Sequence, residues 1–201
     1  FSSAIGANEL FYYCHSLQTA SIANLSSMIT TGNIFREAFS LRTVSIGGFS
    51  NALTNTQSMF YTLPSLQHVS HFETGSVLEA DWMFADCDAL RTLPLFNFSS
   101  ATSLDGFCSS NSLKIVPAID FSSSTKSADF TNCPSLSSAL CFGMTDSFYI
   151  TNTSLGPEAL DLLYTNLGTT SDGFIDVSVC WGLGSDDPTI ATDKGWTVVE
   201  V

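Results

Sequence analysis

The sequence predicts an α/β solenoid of about six irregular coils of 23–25 residues, with short parallel strands and a C-terminal α/β cap. Three observations predict it. Phenylalanine recurs at Phe11, Phe35, Phe60, Phe84, Phe107 and Phe130, with successive differences of 24, 25, 24, 23 and 23. A leucine follows each at a fixed offset: Leu17, Leu41, Leu66, Leu90, Leu113 and Leu136. After Thr153 the period breaks into two helical and two alternating segments. A period in this range marks a chain whose single coil cannot bury its apolar side alone, so that neighbouring coils must stack.

Residues Phe1 to Leu10 read as a broken-off coil or an entry segment, and the coils run from about Phe11 to about Thr153. Farther along each coil a third column holds Ala20, Val44, Val69, Leu93, Val116 and Ala139. Apolar and polar residues alternate around it, which is strand spacing, and the stack of these strands is expected to form a parallel sheet. Pro94 and Pro117 fall in the middle of two such strands. Proline donates no ladder hydrogen bond, so the strands there must be short or irregular. A fourth column, Leu25, Phe49, Phe98, Phe121 and Met144, lies beyond. The third coil departs from it, with Phe72 two positions early.

Residues 154–201 are expected to form the cap of the same domain. Ser154 or Gly156 is placed to cap a helix, Pro157 suits its first turn, and Glu158 suits its positive end. Leu160, Leu163, Tyr164 and Leu167 follow helical spacing, and Gly168 ends it. Ile175, Val177, Val179 and Trp181 alternate as a strand. Asp187 and Pro188 open a short helix that Gly195 ends, and residues 196–201 close as a strand. Trp181 and Trp196 are expected to pack within this unit.

Hydrophobic residues make up 44% and charged residues 12% of the chain, which excludes a disordered polymer. No apolar run approaches the roughly 20 residues that span a bilayer. The chain opens at Phe1 without an initiator Met or a signal pattern and is expected to be a piece of a longer polypeptide or a processed product. With 19 acidic and 6 basic residues the formal charge is −13, which disfavours nucleic-acid backbones and anionic membranes as partners.

Of the six cysteines, Cys14, Cys87 and Cys133 share one repeat slot, where other coils carry Ala38, Leu63 and Ser110. That slot reads as buried filler. Coils rise by roughly 4.7–4.9 Å where strands pair. Cysteines two or three coils apart therefore exceed the Cα separation of about 7 Å that a disulfide bridges. Cys108, Cys141 and Cys180 lie elsewhere, and one bond among them stays open. No spacing suits zinc, and no cofactor is expected.

Met83, Phe84, Cys87, Leu90 and Leu93, and again Phe130, Cys133 and Leu136, resemble the BspA-like leucine-rich repeats with their MF-x-x-C-x-x-L-x-x-L signature. Residues 90–104 and 190–198 look like versions found in bacteriophage virion proteins, especially tail-fibre-like and other surface-exposed ones. The resemblance implies a solenoid of leucine-rich-repeat type acting as a non-enzymatic structural or host-recognition module of a virion. It would be present in multiple copies, with other virion proteins or a host-surface glycan or protein as partners. A bacterial cell-surface adhesin domain and a tailspike-like polysaccharide-degrading enzyme are the alternatives.

Two polar columns are candidate sites. Gln18, Arg42, Gln67, Arg91, Lys114 and Ser137 flank the strands, and three of the chain's six basic residues stand in this one slot. The first five form the candidate binding strip, on what is expected to be the open face. The plainer reading is that its cations pair with nearby carboxylates and serve solubility. Asn33, Gln57, Asp81, Asp105 and Asp129 form the other column. Asp81, Asp105 and Asp129 are a weak candidate for a cation site or for the carboxylates of a glycosidase. A solvated turn position is the favoured reading. His68 and His71, three apart on a strand, are expected on opposite faces and so do not pair.

Overall fold

The computed structural model describes residues 5–49, 51–109 and 112–201. Ser110, expected in the cysteine slot, and Phe1–Ala4 of the entry segment lie outside the described residues. The chain is a parallel β-solenoid of about seven turns. In chain order its strands are β1 Thr19–Ile22, β2 Thr43–Ile46, β3 His68–Val69, β4 Ile115–Val116, β5 Ala128–Asp129, β6 Ser138–Ala139 and β7 Phe148–Tyr149. Helix α1 Pro157–Asn166, β8 Phe174–Asp176, helix α2 Thr189–Thr192 and β9 Thr197–Val199 follow. Among the described residues no helix is long and apolar enough to cross a membrane.

The register puts like residues over like. Ala20 pairs with Val44 and Val44 with Val69, and Val116 pairs with Ala139, as the third column predicts. One row of strands is nevertheless broken into β1-β2-β3 and β4-β6, with Thr92 joined to Ile115 by an isolated bridge. Proline explains the break. In the third and sixth coils Ser70 and Leu140 donate their N–H groups to Val44 and Val116. Pro94 and Pro117 occupy the equivalent positions and have no N–H to give. The strand expected over Leu93–Leu95 therefore does not form.

In the first four coils the opposite side is a stacked turn rather than a strand; from β5 onward the same side carries β5, β7, β8 and β9. Thr31, Asn33, Phe35 and Glu37 donate their N–H groups to the carbonyls of Asn55, Gln57, Met59 and Tyr61. Thr56, Ser58, Phe60 and Thr62 then donate to Glu79, Asp81, Met83 and Ala85. Ala80, Trp82, Phe84 and Asp86 donate to Ser103, Asp105, Phe107 and Ser109. Every second amide thus points along the solenoid axis. This requires left-handed residues at intervals, and they recur in pairs: Glu9 and Tyr13, Asn33 and Glu37, Ser58 and Thr62, Trp82 and Asp86, all with φ of 52–60°. Each costs roughly 1–2 kcal/mol in a non-glycine residue. The four rungs per turn, at about 0.5–1.5 kcal/mol each, are of the size needed to offset a pair.

Inside the coils the repeat phenylalanines form a continuous column. Phe11, Phe35, Phe60 and Phe84 stack nearly parallel, with centroids 5.4, 5.8 and 5.0 Å apart. From Phe84 to Phe107 and on to Phe130 the rings turn edge to face, at 5.7 and 6.1 Å. The change coincides with Phe96 and Phe98, which enter the core against Phe84 and Phe107. In the third coil Thr74 takes the fourth-column slot, its hydroxyl bonded to Asn97 O at 2.8 Å, while Phe72 packs between Phe49 and Phe96. None of the six cysteines is in a disulfide, so no bond forms among Cys108, Cys141 and Cys180. Burial pushes the Cys87, Cys108 and Cys141 thiols well up from their ordinary range, so they serve as apolar filler.

The coils do not stop at Thr153. Phe130, Ile150 and Val177 donate to Tyr149, Asp176 and Val199, and Asn132, Asn152 and Val179 have φ of 59, 53 and 60°. Ile150 and Val177 therefore stand where Phe130 stands in its coil. Strands β5, β7, β8 and β9 make one parallel sheet across residues 128–199. Helix α1 forms as expected, with Gly156 at its N-cap, Pro157 in its first turn, and Leu160, Leu163 and Tyr164 buried. Two expectations fail here. The strand ends at Asp176, because Val179 enters the left-handed turn and is 67% exposed. Trp181 does not pack inside: it is 77% exposed, whereas Trp196 is buried and donates Nε1–H to Gly168 O at 2.7 Å.

The first coil is the least covered. Phe11, Cys14, Leu17 and Ala20 are half-buried, whereas Phe35, Ala38, Leu41 and Val44 below them are fully buried. Phe60→Ala should therefore lower unfolding stability by about 3–5 kcal/mol, and Phe11→Ala by clearly less. Equilibrium urea unfolding checks this; equal losses would show that the first coil is as enclosed as the third.

Candidate binding face

The basic column is a physical row. The Arg42 N–H donates to Gln18 O at 2.8 Å, and Gln67 N–H to Arg42 O at 2.9 Å. Lys114 N–H donates to Arg91 O at 2.9 Å, and Ser137 N–H to Lys114 O at 3.0 Å. These bonds lock Gln18, Arg42 and Gln67 into one run and Arg91, Lys114 and Ser137 into another, so within each run the side chains fan from adjacent coils. Gln18, Arg42, Gln67, Arg91, Lys114 and Ser137 are all exposed. Among the described residues Arg42, Arg91 and Lys114 make no ion pair; the pairs that form are Arg36–Glu37, His71–Glu73 and Lys126–Asp81. The expectation of local neutralisation is not met on this face.

Strand alternation extends the face. Thr19, Thr43 and His68 stand in register beside the basic column, with Ser21 and Ser45 two residues on. Thr92, Ile115 and Ser138 continue the row. The face thus carries hydroxyls, amides and cations in rows one coil apart. His68 and His71 are both exposed rather than opposed, because β3 ends at Val69.

Past the proline-bearing coils the surface dips into an open groove of about 370 Å³, lined by Leu95, Phe96, Asn97, Ala118, Asp120 and Phe142. Asn97 and Asp120 occupy equivalent positions in successive coils, and each side chain is fixed by its own turn. Asn97 Oδ1 accepts the Ser99 N–H at 3.0 Å and Asp120 Oδ1 the Ser122 N–H at 2.9 Å. The sequence carried a signal for this in its repeated Asn-Phe-Ser-Ser and Asp-Phe-Ser-Ser at residues 97–100 and 120–123. Gly143 sits at φ 79°, where an added Cβ would lie 2.8 Å from Ser122 Cβ. Its bareness lets the coil bearing Phe142 approach the one bearing Asp120.

The carboxylates of the acidic column are hydrogen-bonded, and Asp105 is at the same time exposed to solvent. Asp81 Oδ1 accepts the Ser103 hydroxyl and, at 2.9 Å, the Asp105 N–H of the next coil. Its Oδ2 lies 3.8 Å from Lys126 Nζ, and the side chain is only 14% exposed. Asp105 Oδ1 accepts the Ser127 hydroxyl at 3.4 Å, and Asp129 Oδ1 its own turn's Thr131 N–H at 2.7 Å. The carboxylates thus fasten coil to coil or tighten turns. Among the described residues no group of three His, Cys, Asp or Glu side chains is placed to hold a metal ion.

A further cluster escaped sequence reasoning. The Arg36 guanidinium lies 5.7 Å from the Tyr12 ring and 5.0 Å from the Tyr61 ring, and Arg36 Nε is 3.2 Å from Glu37 Oε1. These are successive members of one repeat slot, so the coils alternate aromatic, cation, aromatic and spare Arg36 a like-charged neighbour.

No family model, no curated protein and no solved structure matches the chain. The geometry of the acidic column makes its own test. Asp81→Ala strands the Ser103 hydroxyl and the Asp105 N–H and should cost about 1–3 kcal/mol in urea unfolding, whereas Asp81→Asn, which keeps an acceptor oxygen, should cost less. Equal effects of the two would contradict the coil-fastening role.

Proposed function

We propose that the protein is a non-enzymatic binding module, a structural or host-recognition part of a bacteriophage virion, tail-fibre-like or otherwise surface-exposed. In this reading the coils are of leucine-rich-repeat type. The unit made of α1, β8, α2 and β9 caps the C-terminal end of the stack, where an apolar cross-section needs covering. The ligand is a host-surface glycan or protein bearing carboxylates, and many copies per particle supply avidity to weak single contacts.

One observation carries this reading: half of the chain's basic residues stand in a single exposed row without ion pairs among the described residues, on a protein of formal charge −13. Unpaired cations on so acidic a molecule gain little for folding, since exposed charges contribute little to stability. Facing a ligand carboxylate they form charge-assisted hydrogen bonds, with bidentate geometry available to Arg42 and Arg91. The regular coil spacing suits a ligand that repeats along its own length.

The test is direct. Replacing Arg42, Arg91 and Lys114 together by alanine should leave the unfolding midpoint nearly unchanged and abolish attachment of the protein to intact host cells in a sedimentation assay. Undiminished attachment by the folded triple variant would remove the proposal.

A further inference from the structure

The groove between the fourth and sixth coils has a makeup that the basic row lacks. Much of its lining is apolar: Leu95 is 63% exposed, Ala118 is exposed, and Phe142 is 40% exposed. Its rim carries two polar groups of opposite character. Asn97 and Asp120 each commit Oδ1 to a backbone N–H, so their orientations are set. What remains is the Asn97 Nδ2 amide, a donor, and the Asp120 Oδ2 oxygen, an acceptor.

We propose that this groove is a sugar subsite, and that the ligand is a carboxylate-bearing polysaccharide with one neutral ring seated on Phe142. A pyranose ring has apolar C–H faces and a hydroxyl edge. The Phe142 ring with Leu95 and Ala118 covers a face, while Asn97 Nδ2 donates to one hydroxyl and Asp120 Oδ2 accepts from another. The Asp120 charge disfavours a carboxylated ring at this position, so the seated ring is neutral. Lys114 and Ala118 belong to one coil, four residues apart, a span of at most roughly 13 Å of extended chain. A neighbouring uronic or sialic ring of the same polymer then reaches Lys114 and Arg91.

A peptide fits less well. Extended peptides gain affinity by adding to an unpaired strand edge. Along the groove Asp120 and Phe142 are already bridged to each other, and the Phe142 N–H is taken by Ile119 O. The volume, about 370 Å³, lies at the lower end of small-ligand sites and suits a single ring rather than a folded partner.

This inference rests on the reading of the basic row as a ligand face, and its test separates the two. Hyaluronan, oligogalacturonate, sialyllactose and dextran oligosaccharides are titrated to millimolar concentration into the ¹⁵N- and ¹³C-methyl-labelled protein. At least one carboxylated probe is expected to shift the Leu95, Ala118 and Phe142 signals together with those of Arg91 and Lys114. Phe142→Ala and Asn97→Asp should each weaken that probe by about tenfold; the second keeps the turn oxygen and replaces the donor by a charged acceptor. If the triple alanine variant of the basic row loses the probe while Phe142→Ala and Asn97→Asp bind as well as the parent, the groove falls and the row stands. If the groove variants lose it and the triple variant does not, the row falls and the groove stands. No shift at Leu95, Ala118 or Phe142 with any probe overturns the subsite.

Discussion

The structure depends on one constraint: backbone amides on successive coils bond along a common axis, so each residue sits over its counterpart in the next coil. That spacing is fixed by N–H···O geometry and leaves no freedom to offset unlike side chains. Whatever occupies a slot therefore repeats as a column. Phenylalanine over phenylalanine and leucine over leucine are productive, because aromatic pairs at 5–6 Å and interdigitated aliphatics both favour close stacking. The spine follows from the ladder.

The same constraint creates an electrostatic problem, since like charges in one column repel. The chain meets it in three ways. Asp81 is supplied with a hydroxyl, an amide and Lys126. Arg36 is set between two tyrosines, with Glu37 beside it. Along the strands Gln67 separates Arg42 from Arg91, while Arg91 and Lys114 stay on adjacent coils. Only the last column leaves its charges without partners among the described residues. That contrast, and not the number of basic residues, singles the face out.

Much of the fold was legible because its signal is periodic. The Phe, Leu and Val columns, the exposed basic row and the capped helix beginning at Pro157 can be read from spacing alone. The turns could not be read in the same way. Tyr13, Glu37, Thr62, Trp82 and Val179 are left-handed without being glycine or asparagine, so no residue type betrays them. The coils at Ile150 and Val177 were hidden because an aliphatic residue replaces the aromatic marker and α1 interrupts the period. Trp181 was expected inside because strand alternation was extended through Val179, where the backbone turns. The basic row was visible as a column, but its lack of ion pairs required side-chain positions. The groove was only half visible: Asn97 and Asp120 share a motif, whereas Phe142 joins them through the close approach that Gly143 permits.

The axial ladder is most directly tested by native-state hydrogen exchange at Ser58, Phe60, Thr62, Trp82, Phe84 and Asp86, amides that lie in turns and not in strands. Each donates to a carbonyl of the following coil. The account predicts that all six are strongly protected and exchange together, through the same large opening that releases β1 and β2. Exchange of these amides at the rate of an open surface loop, while the strands stay protected, would contradict it.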